Sequence, residues 1–290
     1  MYRKFYLVNG NGTTQPMTDP SIKVFADNPS GLGFSTSTSF LRLGNDNLLT
    51  YEQYSMVTKS FDIRFYESTI DGMYKQYNEF IKFLTVKPIY LLYEILGKTY
   101  RMKVNVDSLS KSQVDYSNSM LSCTISMTPM SFWEDNISNI IETSKATTDG
   151  KHYVLTRPYY YGNVTTDNIE ITSIGTLPAS LQITIDGSVT NPQYNLYDEN
   201  GNLYGSGKFT GTFDYVFVNA DEADENIILK QSGTTLENPY NYQDLTVGKA
   251  DEICVTFLQM QPGVNKLSFS LDAGFAGTVK IEWRNRYLSV

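Results

Sequence analysis

The sequence predicts a mainly β protein with one helix, divided into two domains. Three observations carry this. The chain is rich in aromatic residues, with 22 Tyr and 15 Phe, and such side chains, like β-branched ones, suit a pleated, half-buried surface. Short segments alternate apolar and polar residues: Leu181, Ile183 and Ile185, then Leu267, Phe269 and Leu271, then Val279, Ile281 and Trp283 all fall on one face of their segments, the period of a half-buried strand. One stretch has a different period. Ile70, Met73, Tyr74, Tyr77, Phe80, Ile81 and Leu84 recur every three or four residues, which is the stripe of an amphipathic helix.

In chain order, residues 4–8 and 22–25 read as a first pair of strands. Residues 24–59 follow, rich in Gly, Ser, Thr and Asn with scattered apolar pairs. That is too long for a plain loop in a compact domain, so an extended arm or ribbon is expected. Residues 61–65 form the next strand. The helix comes after it, with Ser68 expected as N-cap and Asp71 three residues on in the manner of a capping box. Pro88 lies beyond the helix end, and strands resume at 89–93, at 100–104 and in a closing strand that leads to Trp133. Residues 137–141 suit a short strand or a helical turn, and 143–151 are polar and aperiodic.

The second half is expected to be strand after strand. Residues 181–185 should end at the turn pair Asp186-Gly187. Residues 194–197 and 202–204 should form a hairpin about Asp198-Glu199-Asn200-Gly201, because Asn-Gly tolerates the positive φ of such turns. Pro262-Gly263 should turn the chain between residues 253–259 and 266–271. A chain of 290 residues has room for two domains with cores of their own. The expected cut gives a first domain over 1–142, a linker over 143–165 and a second domain over 166–290.

Charge and rare residues exclude several functions. With 23 Lys plus Arg against 31 Asp plus Glu, the net charge is −8, and no basic cluster stands out, so nucleic-acid binding, which needs concentrated positive charge, is not expected. Two Cys and one His cannot build a four-ligand zinc site. Cys123 and Cys254 each sit among alternating apolar residues and read as buried free thiols. The apolar stretch near the N-terminus is too short for a signal peptide, and no run is long enough for a membrane span, so a soluble intracellular product without membrane insertion is expected.

No candidate for catalysis survives. His152, the single histidine, would have to serve every nucleophile–His mechanism, yet it stands beside the polar linker with no nucleophile elbow around any serine. Residues 198–202 begin like a calcium loop, but the sixth and twelfth positions hold Leu203 and Phe209 in place of Gly and Glu. Gly205-Ser206-Gly207 lacks the Gly-Lys-Ser/Thr of a phosphate loop and reads as a bulge or turn. The acidic run 221–225 reads as a solvated loop. No catalytic residue, cofactor or metal is therefore predicted. Tyr159, Tyr160 and Tyr161, after Pro158, could offer a sugar-binding surface, but together with Trp133 they suit packing at the domain junction better.

The order of these features resembles the distal tail protein of long-tailed, non-contractile bacteriophages. The first strands, the Gly-rich Gly31-Leu32-Gly33-Phe34, the strand at 61–65, the helix and the segment closing at Trp133 follow that family's N-terminal domain. Residues 175–187, 258–265 and 281–288 are similar to its C-terminal galectin-like β-sandwich. The resemblance implies an N-terminal β-sandwich-type domain with one helix and an extended ribbon. It implies a structural role: a hexameric ring made by the first domain, joining the tail tube to the tail tip, with a central channel for DNA. Implied partners are other copies of the chain, the tail-tube protein, a tail-associated tip protein and a receptor-binding or other baseplate protein, and the implied location is the tail tip of the virion, after synthesis in the bacterial host cytoplasm. Within that frame Gly31, Leu32, Gly33, Phe34, Phe40 and Leu41 are expected at the contact between copies, since a ribbon can add to a neighbour's sheet. Two other readings stand beside it: a carbohydrate-binding module or cell-wall adhesin acting through the second domain, and a major tail-tube subunit.

Overall fold

A computed structural model of the chain describes residues 3–18, 24–115, 120–144, 169–221, 226–237, 254–255, 259–271, 275 and 277–290. Contacts divide it into two units, residues 1–136 with 287–290 and residues 137–286. His152, Tyr159, Tyr160 and Tyr161 lie outside the described residues, as do Ile22 and most of the acidic run.

The first unit begins with β1 (Lys4–Val8), β2 (Thr14–Pro16), β3 (Val24–Ser30), β4 (Phe34–Leu43), β5 (Asp46–Met56) and β6 (Lys59–Tyr66). Helix α1 (Ile70–Thr85) follows, then β7 (Ile89–Ile95), β8 (Lys98–Asp115), β9 (Met120–Pro129) and β10 (Trp133–Asp135). One sheet takes the order β2-β1-β7-β8-β9-β6-β3, with antiparallel pairing throughout. Strict alternation sets which face is dry. On β6 Phe61, Ile63 and Phe65 are buried, and on β9 their neighbours Leu121, Cys123, Ile125 and Met127. The sheet curls enough that Phe5 on β1 meets Phe61 on β6 edge to face at 5.1 Å. The backbone of Met17 bridges the curl, donating to Phe5 and accepting from Ala26 on β3.

Helix α1 covers this dry face with Met73, Phe80 and Leu84, and Tyr77 and Phe80 sit edge-on to Phe65. Its N-cap is Thr69, not the expected Ser68: Thr69 is extended and its Oγ1 accepts from the Gly72 N–H at 3.1 Å. A cap must sit one residue before the first helical φ/ψ, and the helix starts at Ile70. Trp133 is buried within the first unit, against Tyr93.

The second unit holds β11 (Asn139–Ser144), β12 (Ile169–Ser173), β13 (Ala179–Thr190), β14 (Gln193–Tyr197), β15 (Leu203–Lys208), β16 (Thr212–Asn219), β17 (Asn226–Gln231) and β18 (Thr234–Glu237). Then come β19 (Cys254–Val255), β20 (Gln259–Met260), β21 (Gly263–Ser270) and β22 (Thr278–Trp283); the last strand, β23 (Arg286–Tyr287), pairs with β10 in the first sheet. Two sheets, β11-β22-β13-β16-β17-β18 and β12-β21-β14-β15-β19, enclose one apolar core that takes in Ile183, Ile185, Tyr194, Phe209, Phe213, Phe269, Ile281 and Trp283. This is a β-sandwich. The protein is thus mainly β, as expected.

Four local expectations need correction. Asp186-Gly187 does not end a strand: β13 runs on to Thr190 through a bulge between Asp186 and Val189, with Gly187 at φ 126° supplying the backbone a bulge can use. Gly205-Ser206-Gly207 is not a turn but strand opposite Leu196, Asn195 and Tyr194, with a bulge immediately before it at Tyr204. A Cβ on Gly207 would overlap the buried Tyr194 ring, so glycine is there to admit that ring. The segment 137–141, read as a short strand or a helical turn, is strand from Asn139 and pairs along β22, which puts it in the second unit, while Tyr287–Val290 lies with the first. Finally, residues 24–30 belong to the first sheet as β3, so the ribbon proper is shorter than 24–59.

Candidate functional site

The feature that the two cores leave unexplained is that ribbon. β4 and β5 pair only with each other, in register from Phe34 with Met56 to Leu43 with Asp46, and Gly44 at φ 66° turns the tip. All of β4 is exposed, and all of β5 but Ser55. Nine large apolar side chains, Phe34, Phe40, Leu41, Leu43, Leu48, Leu49, Tyr51, Tyr54 and Met56, stand 39–60 % exposed within these 23 residues. Phe34 and Tyr54 touch edge to face. An isolated two-stranded ribbon is marginal in water, and an apolar surface of this concentration marks an interaction site.

The root of the ribbon is fastened by specific groups. Gly31 has φ 72°, and an added Cβ would overlap the carbonyl oxygen of Thr58, so the two legs of the ribbon approach as closely as backbones can. Leu32 packs partly against the first core. Lys59, the first residue of β6, is almost completely buried. Its ammonium donates to the carbonyl oxygens of Gly31 and, at 3.4 Å, Gly33. Burial pushes its pKa down to about 8, because a desolvated ammonium is disfavoured.

Of the residues expected at the contact between copies, Gly31, Leu32 and Gly33 therefore form the root and Phe34, Phe40 and Leu41 lie on the exposed ribbon. Alternation puts Phe34 and Phe40 on one face and Leu41 on the other. The apolar residues of β5 and the role of Lys59 were not foreseen; the Leu48-Leu49 pair six residues before Tyr54 was a usable signal, since both faces of a strand then carry apolar side chains.

The other candidate groups have structural partners. The Asp198 carboxylate accepts from the backbone of Asn200 and Asn202 and from the Asn202 amide, and these bonds hold its pKa below the usual range. It is a turn-forming carboxylate. The Cys123 thiol is pushed up to about 11 by burial, the opposite of an activated nucleophile. Asp221 pairs with Arg286 at 3.3 Å. A shallow hollow of about 340 Å³ on the outer face of β6, β9 and β8 is lined by Asp62, Arg64, Lys111, Ser110, Ser112, Ser122, Thr124 and Cys123. Asp62 in it is bound by Asn28 and Thr124. Among the described residues no cluster of three His, Cys, Asp or Glu is placed to hold a metal, and no helix is long and apolar enough to cross a membrane.

The first unit combines a curled sheet and one helix with an exposed apolar ribbon, and the second is a β-sandwich; known proteins share this fold. Residues 4–130 match the family model of the distal tail protein N-terminal domain. By that match residues 4–130 carry the distal tail protein N-terminal domain. Over its full length it shares the fold of a chain in the activated baseplate of phage P2 with calcium, at 15% identity, TM-score 0.62 and 100% of both chains covered. The crystal structure of SPP1 Dit, described as a paradigm of the hub adsorption apparatus in Gram-positive infecting phages, matches at 10% identity and TM-score 0.58 over 96% of this chain and 98% of that one. No curated protein sequence matches the chain.

Proposed function

We propose that copies of this chain close into a ring, a hexamer, through the first domain and its ribbon, joining the tail tube to the tail tip and leaving a channel for DNA. The exposed ribbon carries this reading. It is one surface and the first domain's sheet and helix are another, so a contact between them is head-to-tail, and such contacts close into rings or run on as helices. In the same reading the second domain faces outward and holds a receptor-binding or other baseplate protein, the tail-tube protein meets one side of the ring, and the tip protein meets the other. A net charge of −8 suits a channel that passes DNA without gripping phosphates. The role is structural, not enzymatic, and the virion's tail tip is its place.

Negative-stain electron microscopy and light scattering on the purified chain test this. Single rings of uniform size are expected. Replacing residues 34–56 by a short Gly-Ser turn should leave folded monomers. Long tubes would instead support a tail-tube subunit, and a monomeric wild type at every concentration would overturn the ring.

A further inference from the structure

The ribbon is not equally apolar along its length, and its register shows how. From the root outward, one face carries Phe34 with Met56, Thr36 with Tyr54 and Thr38 with Glu52, while the other carries Ser35 with Ser55 and Ser37 with Gln53. The root is thus apolar on one face and polar on the other. At Ser39 the register shifts: Ser39 pairs Tyr51 but Phe40 pairs Leu49, leaving Thr50 unpaired, its hydroxyl donating to the Ser39 carbonyl oxygen at 3.0 Å. Beyond this bulge both faces carry apolar side chains, with Arg42 and Asn47 following them on the first. Phe40 and Leu49 continue the first face; Leu41, Leu48 and Leu43 occupy the second, next to Tyr51.

Area and reach say what such a tip needs. Large apolar side chains offer about 150–200 Å² each, so nine at near half exposure present roughly 800 Å², what one partner gives to a stable interface. Neither face alone carries more than about half of that. The ten residues of β4 span about 34 Å at ~3.4 Å per residue. A domain of about 140 residues is about 35 Å across. The ribbon is therefore long enough to span one such domain.

From these observations we propose that the ribbon tip is buried on both faces, in the cleft between the next two copies of this chain around the ring, whereas the root lies on the first neighbour by one face only. This rests on the ring reading above. It makes each copy contact two successors rather than one, and it gives the bulge at Ser39 to Tyr51 a purpose: a bulge bends and twists a strand, turning the tip from a surface into a cleft.

Three single substitutions at exposed ribbon sites test it in the full chain, with circular dichroism confirming the fold. Leu49→Glu charges the first face of the tip, Leu48→Glu the second, and Ser37→Glu the polar face of the root. By sedimentation velocity at matched concentrations, both tip variants should lose assembly by more than 10-fold and Ser37→Glu should stay within about twofold of wild type. Wild-type assembly by Leu48→Glu would overturn the two-sided tip while leaving the ring reading intact, as would equal damage from Ser37→Glu. Intact Leu48→Glu rings that no longer bind the tail-tube protein would also overturn it, by assigning the second face to another protein. A wild type that never assembles would overturn the ring reading itself.

Discussion

Replacing Lys59 by Met should change the pH dependence of stability in a way that nothing else in the first domain mimics. In the folded chain the ammonium titrates near pH 8, against 10.5 as its ordinary value. Between those limits the unfolded chain binds more protons than the folded one, so stability rises with pH there. The gain is complete above 10.5 and is lost as pH falls through 8. The shift corresponds to roughly 3 kcal/mol at 1.36 kcal/mol per unit, reduced to about 1–2 kcal/mol because protein around a buried charge relaxes. Against this, Met gives up the bonds to the Gly31 and Gly33 carbonyls, about 1 kcal/mol. At pH 7 Lys59→Met should then equal or slightly exceed wild type, and at pH 10.5 it should be about 1 kcal/mol less stable. The Cys123 thiol, pushed up to about 11 by burial, works in the opposite direction in this range, so the difference between the two proteins is what must be read. Urea unfolding from pH 7 to 10.5, followed by the buried Trp133 in a Trp283→Phe background, measures it. A gap that stays constant across that range would refute the burial argument.

Thr69→Ala should lower stability by about 1 kcal/mol through loss of the helix cap, while Ser68→Ala should leave the urea midpoint unchanged. Gly207→Ala should destabilise the second domain by roughly 2–3 kcal/mol, because the new methyl group meets the buried Tyr194 ring in a core with little room to yield; Trp283 fluorescence in urea reports it. Asn265, fully buried, accepts from the Gln261 N–H and the Tyr204 hydroxyl and donates to the carbonyls of Gln261 and Gly263, so Asn265→Ala should cost about 2–3 kcal/mol in the same assay.

Elements with a strong period were legible in the sequence, and their exact ends were not. The stripe from Ile70 to Leu84 became α1, and the alternation at Leu181, Val279 and Leu267 became β13, β22 and β21, because one buried face fixes register. Asp186-Gly187 misled for the opposite reason: the pair reads as a turn by residue type, but Val189 beyond it still fits the core, and burying that side chain outweighs the local preference. Gly205-Ser206-Gly207 misled in part, since Gly207 answers to the Tyr194 ring, which reaches it from another strand. No local rule can show such a constraint.

The candidate site was legible only as an excess. Residues 24–59 read as a segment too long and too polar to be core, and within it Phe34, Phe40 and Leu41 stood out; the equal weight of β5 did not, because Leu48, Leu49, Tyr51, Tyr54 and Met56 alternate with no single face. The broken phase is the bulge at Ser39. A bulge re-aims the side chains beyond it, so a segment that carries one does not keep a single apolar face that a period would reveal. Lys59 was hidden by the same kind of conflict: it sits on the dry face of β6 in line with Phe61, Ile63 and Phe65, where alternation alone calls for an apolar residue. A lysine in that place is explained only by the carbonyls it fastens, and those belong to the root of the ribbon.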